Sequence, residues 1–333
     1  MSQPKITDTA LDQYALTPPV SLFPLLSQGN SNTTIGVRTG ASDFILKIYS
    51  GYDDPSRLKS EHELLAWLQQ QRLSFAVPAP LRTKAGATMA FSGLGWQALT
   101  PFFPGSRVDP EHPRELESFG GALSELLSAF ERYPLEVAYV PASEFHIIVP
   151  RLPDLQIAVS DLGLEPNRHN DALTDWLRHE LAELTTFMKS SYQVLPRQLT
   201  HNDFIPSNVL YDHGRIGAVL DFEFVIPGIR GLDFAMALLF CLRYWSNPDP
   251  HETTTLLSRG YGRHNSLTAE EVQQLPLLLR LRNMASTLWW LGRALKNGDA
   301  RSEAIRIERT REFTEWLGTY ESRLTAAVAS ILL

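Results

Sequence analysis

The stretch LTHNDFIPSNVLYDHGRIGAVLDFEF, residues 199–224, is the most informative part of the chain. Two β-rich runs, NVLYD and RIGAVLDF, flank a hairpin signal, and Asp203, Asn208 and Asp221 lie around them. Because a hairpin returns its two ends to neighbouring positions, we expect these three side chains to converge on one cavity. The oxygens of Asn208 and Asp221 suit a hard cation such as Mg²⁺, which completes its shell with water and phosphate. Asp203 would then be available to accept a proton.

The composition is that of an ordinary globular protein. The chain has 333 residues, of which 44% are hydrophobic and 20% charged, enough for a sizeable core in about two domains. The single cysteine, Cys241, excludes an intrachain disulfide and a cysteine-based zinc cluster. A net charge of −7 argues against nucleic acid as a partner, because such proteins usually carry a basic face. The N-terminal segment has no signal-peptide pattern and no apolar run is long enough to span a bilayer, so we expect a cytoplasmic protein without a membrane partner.

The hydrophobic pattern changes after Gly105. Before it, the sequence predicts five strands, three within residues 19–49 and two near 87–91 and 95–102, with a helix beginning at Asp54 and Pro55. After it, apolar residues at three- and four-residue spacing predict helices at 112–131, 168–190, 230–245, 268–297 and 302–331. The turn signal FFPG separates the two patterns, so we predict two lobes, residues 1–103 and 104–333.

The pattern H-x-D-x-x-x-x-N followed by D-F-x resembles the catalytic and metal loops of the kinase fold. His-Asn-Asp and LDFEF are more similar to the variants of the aminoglycoside phosphotransferase and choline kinase superfamily, which includes homoserine kinases. The resemblance implies an α+β, protein-kinase-like bilobal fold: an N-terminal five-stranded antiparallel sheet with one main helix, and a larger, mostly helical C-terminal lobe with a catalytic hairpin. It also implies transfer of the γ-phosphoryl group of ATP, with Mg²⁺, to a small-molecule hydroxyl, with Asp203 as the catalytic base and Asn208 and Asp221 as metal ligands.

The same resemblance implies a nucleotide-binding role for several residues of the first lobe. Lys47, on the third predicted strand, corresponds to the phosphate-binding lysine of the family, and Glu61 to its partner. Glu61 precedes Leu65 by four residues, as in the family's E-x-x-x-L helix, so we prefer it to Glu63. The segment SQGNSNTTIGV occupies the place of the phosphate-covering loop, where Gly29 and Asn32 resemble the family's G-x-x-N. The backbone groups expected to bind adenine follow the fifth strand, at Thr100, Pro101, Phe102 and Phe103.

Three further residues have supporting roles in this interpretation. His201 would brace the catalytic loop by hydrogen bonding rather than transfer protons. Asp233 occupies the position of the family's aspartate at the start of a helix beneath that loop, although an acid in the first turn of any helix is also favoured by the helix dipole. Glu223 would either contact metal or substrate or have a structural role, and the sequence leaves both open.

The acceptor is less well defined. A protein substrate is disfavoured because Asp-Phe-Glu replaces Asp-Phe-Gly, no Ala-Pro-Glu segment follows, and residues 224–232 leave no room for an activation loop. An amino alcohol fits better. A homoserine-like acceptor needs an arginine for its carboxylate, and Arg282, Trp289 and Arg293 share one helical stripe with Ser286. A choline-like acceptor needs an aromatic cage, for which Trp289 and Trp290 are candidates.

Three alternatives stay open. The pattern of this helix fits better a half-buried helix with its tryptophans in the core and its arginines at the rim. An aminoglycoside acceptor would need a pocket crowded with acids. A non-catalytic nucleotide-binding regulator is the alternative from another functional class, and the presence of Lys47, Asp203, Asn208 and Asp221 together argues against it. The sequence specifies neither the acceptor nor the oligomeric state.

Overall fold

The computed structural model describes residues 11–25, 32–49, 54–134, 168–244, 250–297 and 301–333, without the side chains of 243–244, 292–297 and 301–304. These residues form two compact units. The main segment of the first unit ends at Ser106, and Leu210–Glu223 also belongs to this unit. The second unit contains Arg107–Pro134, the residues from 168 to Val209, and Phe224–Leu333. The predicted boundary after residue 103 remains a prediction.

The first unit is built on the expected five-stranded antiparallel sheet, which confirms this part of the predicted fold. Its strands are β1 (Ser21–Phe23), β2 (Thr33–Arg38), β3 (Asp43–Tyr49), β4 (Ala90–Ser92) and β5 (Gly95–Pro101), in the order β1-β2-β3-β5-β4. Alternation along β3 buries Leu46 and Ile48, which pack with Val37 and Leu99 in a core cluster. Lys47 lies between those two residues in sequence, so its side chain leaves the strand on the other face.

The helix α1 (Ser56–Leu68) follows β3 in the first unit. At its start, Asp54 Oδ1 accepts a hydrogen bond from the Ser56 amide at 2.9 Å, as the Asp-Pro signal predicts. The predicted apolar stripe is buried: Leu58, Leu64, Leu65 and Leu68. Glu61 is buried on the same helix, whereas Glu63 is exposed.

The predicted hairpin is present. Its strands β8 (Val209–Asp212) and β9 (Arg215–Val219) form a three-stranded sheet with β6 (Ser106–Arg107), in the order β6-β8-β9. The two loop residues, His213 and Gly214, have φ of 48° and 81°, as a two-residue hairpin turn requires. Within the first unit, Ala76 connects to β9 through two backbone hydrogen bonds, Ala76 N to Gly217 O at 2.9 Å and Val219 N to Ala76 O at 3.0 Å.

The second unit is mostly helical, as predicted. Its helices are α2 (Pro113–Glu131), α3 (Arg168–Lys189), α4 (Arg230–Tyr244), α5 (His251–Tyr261), α6 (Ala269–Asn297) and α7 (Arg301–Leu332). It also contains an antiparallel pair, β7 (Arg197–Thr200) with β10 (Ile226–Ile229). Among the described helices, none has the length and apolar character needed to cross a membrane.

Three elements of the second unit were not predicted from the sequence. Strand β7 has four residues and β10 contains Pro227 and Gly228, so neither shows a readable period. Helix α5 contains Thr253, Thr254 and Gly260, residue types with low helix propensity, and its packing against α2 stabilises it instead.

The crossing of α2 and α5 depends on glycine. A Cβ atom at Gly120 would collide with the Leu257 carbonyl oxygen, and one at Gly260 with the Glu117 carbonyl oxygen. Ser124 Oγ donates a hydrogen bond to the Tyr261 carbonyl at the same crossing. The two helix backbones are therefore closer together than side chains would allow.

Candidate active site

In the first unit, Lys47 on β3 meets two carboxylates contributed by residues after β9. Its Nζ lies 3.5 Å from Asp221 Oδ1 and 3.7 Å from Glu223 Oε2. Burial would lower the pKa of Lys47, but the charges of Glu223, Asp221 and Glu61 outweigh it and hold the pKa well above its ordinary value. The lysine is therefore a permanent cation placed between acids. Asp221 has φ of 62°, a left-handed conformation that is unusual for aspartate and often occurs at functional sites.

Glu61, the expected partner of Lys47, forms no ion pair with it. The side chain is buried on α1, and its Oε2 accepts no hydrogen bond among the described residues. Burial raises the pKa of Glu61, while the charge of Lys47 opposes this shift. Lys47 is paired with Asp221 and Glu223 instead, and the preference for Glu61 over Glu63 as a functional partner stays a prediction.

Glu223 connects three parts of the first unit. Asn32 Nδ2 donates to Glu223 Oε2 at 2.9 Å, the same oxygen that faces Lys47. Arg57 of α1 donates to the Glu223 backbone carbonyl. The Glu223 side chain is thus buried and bonded to the protein, and the choice between a structural role and a metal or substrate ligand stays open. Gly29, the other residue expected in the phosphate-covering loop, lies outside the described residues.

In the second unit, Asp203 and Asn208 contact each other. Asn208 Nδ2 donates to Asp203 Oδ2 at 2.6 Å and to the Asp203 carbonyl at 3.0 Å. A short 3₁₀ turn, Pro206–Asn208, brings the amide back to the aspartate. Since the nitrogen of Asn208 serves Asp203, its oxygen is the atom that suits a cation.

The loop before Asp203 is fixed by Asp233, in the first turn of α4. Its two carboxylate oxygens accept hydrogen bonds from the backbone amides of His201, at 2.5 Å, and Asn202, at 2.7 Å. His201 Nδ1 accepts a hydrogen bond from the Asp203 amide at 3.3 Å. Burial raises the pKa of Asp233 to about 6, against the opposing effect of these bonds and of Arg282. His201 and Asp233 are thus placed as loop-bracing residues.

Arg282, one of the expected acceptor ligands, is bonded to the loop before Asp203. It is 2% exposed, Nη2 donates to the Asn202 carbonyl at 2.6 Å, and Nε contacts Met236 Sδ. The role of Arg282 as an acceptor ligand stays a prediction.

The remaining acceptor candidates lie further along α6. Trp289 and Trp290 are half-buried and pack edge to face, with centroids 4.7 Å apart. The Arg306 guanidinium lies 4.9 Å from the Trp290 ring centroid, so this ring already holds a cation. Trp289 remains a candidate, and the side chain of Arg293 lies outside the described residues.

The predicted adenine-binding segment follows β5. The Phe102 amide donates to the Asp43 carbonyl at 3.1 Å, so this amide is not available to a nucleotide. Pro101 has no amide hydrogen. The adenine-binding role of the other backbone groups from Thr100 to Phe103 stays a prediction.

Three residues that support the site were missed at the sequence level. Thr200 Oγ1 accepts a hydrogen bond from Asn202 Nδ2 at 2.7 Å and donates to the Ile226 carbonyl at 2.9 Å. Its position directly before the His-Asn-Asp motif could have indicated it. No signal in the sequence indicates Arg57 or Met236, because their contacts join residues far apart in the chain.

The candidate residues thus form two groups. The first, in the first unit, contains Lys47, Asp221, Glu223, Glu61 and Asn32, and the second, in the second unit, contains Asp203, Asn208, His201, Asp233 and Arg282. The first group combines a buried ammonium with carboxylates, which suits phosphate and a divalent cation. The second presents one carboxylate with fixed orientation, which suits a general base. The predicted convergence of Asp221 with Asp203 and Asn208 stays a prediction.

Comparison with known proteins agrees with this chemistry. The model of a phosphotransferase enzyme family, APH, matches residues 23–275. Homoserine kinase of Acidiphilium cryptum (strain JF-5) is 28% identical over 265 residues, covering 78% of this chain and 76% of its own. Two solved kinases share the fold. An amicoumacin kinase in complex with AMP-PNP and Ca²⁺ has a TM-score of 0.68 at 16% identity, covering 91% of this chain and 92% of its own. A microcompartment-associated aminopropanol kinase has a TM-score of 0.67 at 19% identity, and the match covers 94% of this chain and 97% of the kinase. Since the family model matches well over half of the chain, the chain belongs to the phosphotransferase enzyme family, and the resemblance read from its motifs is confirmed.

Proposed function

We propose that this chain is a small-molecule kinase that transfers the γ-phosphoryl group of ATP to the hydroxyl of an amino alcohol. The observation that carries the proposal is the ion pair of Lys47 Nζ with Asp221 Oδ1 at 3.5 Å. It places the strand lysine and the aspartate of the LDFEF motif together, as phosphate and metal binding require. Membership of the phosphotransferase family supports the reaction class.

The residues present fit a nucleotide with a divalent cation. Among the described residues, Asp221 Oδ1 is buried, faces Lys47 and accepts no hydrogen bond. The side chain as a whole is 34% exposed, so the carboxylate can also take a metal ion. Asn208 and Asp221 would hold Mg²⁺, which prefers such oxygens. When bound, the ion would neutralise phosphate charge. Lys47, kept positive by its neighbours, would bind phosphate oxygens.

Asp203 would orient the acceptor hydroxyl and take its proton. The Asn208 amide fixes Asp203 Oδ2 at 2.6 Å, so the plane of the carboxylate is set before the acceptor arrives. Such preorganisation lowers the barrier, because a phosphoryl transfer depends mainly on positioning and electrostatics.

The acceptor class is argued from the relatives. Homoserine kinase and aminopropanol kinase are named for amino alcohols, each with a hydroxyl and an amino group. On the chain itself, Trp289 offers a half-buried aromatic ring on α6, which suits an ammonium group.

The test is ATP turnover with homoserine, aminopropanol, ethanolamine, choline and an aminoglycoside as acceptors. We expect the highest kcat/KM with an amino alcohol and a phosphate monoester as product. Asp203→Asn should lower kcat about 10²–10⁴-fold, the usual effect of losing a general base, while ATP binding survives. Asp212→Asn, the same change at a hairpin residue outside both groups, should have no effect. Unchanged turnover in Asp203→Asn, or no acceptor above background, would refute the proposal.

A further inference from the structure

The backbone from His201 to Asp203 is held by two buried side chains from different helices. Asp233 of α4 accepts the amides of His201 and Asn202 at 2.5 and 2.7 Å. Arg282 of α6 donates from Nη2 to the Asn202 carbonyl at 2.6 Å. That carbonyl belongs to the same peptide plane as the Asp203 amide. Fixing it therefore fixes the direction in which the Asp203 side chain leaves the backbone.

The backbone at this point needs such support. Asn202 has φ of 59°, in the left-handed region, which costs free energy for a residue other than glycine. Such a conformation persists only where the surrounding structure holds it. Asp233 accepts hydrogen bonds from the amides of this turn, and Arg282 donates one to its carbonyl.

Helix packing does not account for a charge at position 282. Arg282 is 2% exposed, and an ion is costly to bury unless it is compensated. Burial lowers the pKa of Arg282 to about 10, and the charges of Asp203, Asp233 and Tyr192 oppose this shift. Arg280, two residues earlier, serves a different purpose, since it binds Glu180 and Glu183 of α3.

We propose that Arg282 is a positioning residue for the phosphoryl transfer: it holds the peptide between Asn202 and Asp203 so that the Asp203 carboxylate meets the acceptor hydroxyl in one orientation. The inference rests on the proposed function, in which Asp203 is the general base. It assigns Arg282 to the turnover step and removes it from acceptor recognition.

The test compares Arg282→Lys and Arg282→Gln with the matched pair Arg280→Lys and Arg280→Gln on the same helix. Thermal unfolding checks the fold, and kcat is measured together with the KM of ATP and of the acceptor. We expect kcat to fall about 10-fold for Arg282→Lys and about 100-fold for Arg282→Gln, because a small misplacement of a catalytic group has effects of this size. Both KM values should stay near those of the wild type. The Arg280 variants should lower the melting temperature without lowering kcat.

A second measurement tests whether Arg282 acts through Asp203. In an Asp203→Asn background, Arg282→Gln should cause no further loss, because the group that it positions has gone. A raised acceptor KM at unchanged kcat would make Arg282 a substrate ligand and overturn the inference. Unchanged kcat in both variants would also overturn it, as would failure of both variants to fold, which would show a purely structural residue. A wild-type chain without turnover, or full turnover in Asp203→Asn, would instead remove the proposed function, and this inference with it.

Discussion

At the scale of single residues, Glu223 is a buried acid that connects three segments of the first unit. Its carboxylate faces Asn32 and Lys47, and its backbone carbonyl accepts from Arg57. Asn32 directly precedes β2, Lys47 belongs to β3 and Arg57 to α1. Burial raises the pKa of Glu223, and the charge of Lys47 opposes that shift. The charge of each of the two residues therefore stabilises the charged form of the other.

Glu223→Gln removes the charge beside Lys47 and leaves a weaker acceptor for Asn32. We expect the KM for ATP to rise about 10-fold, since hydrogen bonds to charged groups contribute about 1.5–3 kcal/mol. The dependence of turnover on Mg²⁺ concentration should not change. Steady-state kinetics with varied ATP and Mg²⁺ measure both quantities.

Asn32→Ala tests the same hydrogen bond from its other side, and Glu63→Gln is the matched control. Asn32→Ala should also raise the KM for ATP. The double variant should show a smaller effect on the KM than the two single effects combined, because the two residues share one hydrogen bond. Glu63, which is exposed on α1, should tolerate the change. A shift in Mg²⁺ dependence alone would mean that Glu223 is a metal ligand.

The pH dependence of stability should reveal Asp233. Its pKa is raised from 3.8 to about 6 by burial, so between these values the folded chain holds a proton that the unfolded chain has released. The stability from this group is therefore fully present below about pH 4 and is lost as the pH rises through about 6. Asp233→Asn has no titrating group. The free energy of unfolding, measured with urea, should therefore rise for the wild type relative to Asp233→Asn as the pH falls from 7 to 4, by up to about 3 kcal/mol. A difference between the two proteins that becomes smaller as the pH falls would contradict the raised pKa of Asp233.

At the scale of elements, the sequence was informative where a period or a turn signal extends over many residues. The hairpin around His213 and Gly214 and the strand carrying Lys47 follow from local patterns alone. Strand β10 does not, because Pro227 and Gly228 disfavour an isolated strand and only pairing with β7 stabilises it. The site divides in the same way. The motif spacing indicates Asp203 and Asn208, whereas the contact of Arg282 with Asn202 joins residues 80 positions apart and leaves no local signal.

The crossing of α2 and α5 provides a test at this scale. Gly260→Ala would place a methyl group against the Glu117 carbonyl and the Gly121 amide, backbone atoms that cannot rotate away. We expect a loss in the free energy of unfolding of about 3 kcal/mol, the upper range for overpacking. In urea unfolding, Gly318→Ala on α7 is the control, since a Cβ there meets nothing within 4 Å.

In Gly318→Ala the free energy of unfolding should rise by about 0.5–1 kcal/mol, because alanine has a higher helix propensity than glycine. Equal effects at the two positions would show that the crossing tolerates a side chain, and that Gly260 is not there to permit close packing.

At the scale of the whole molecule, the first unit is not a continuous piece of chain. The carboxylates that pair with Lys47 belong to Leu210–Glu223. This segment belongs to the first unit, although residues of the second unit precede it in the chain. The same segment bonds to Ala76 through β9. A fragment ending at Ser106 therefore lacks both the acids and a strand to which the rest of the unit is bonded.

Ligand binding should accordingly stabilise segments from both sides of this interruption together. With ATP and Mg²⁺ at about 100 times the dissociation constant, linkage predicts a gain of about 2.7 kcal/mol in the free energy of unfolding. Hydrogen exchange should slow both in β3 and in the hairpin β8–β9. Asp221→Asn should lose the Mg²⁺-dependent part of this protection, whereas Asp203→Asn should keep it, because Asp203 is assigned to the acceptor and not to the nucleotide. Undiminished ATP binding by a fragment of residues 1–106 would contradict this prediction, since that fragment contains Lys47 and none of the carboxylates after β9.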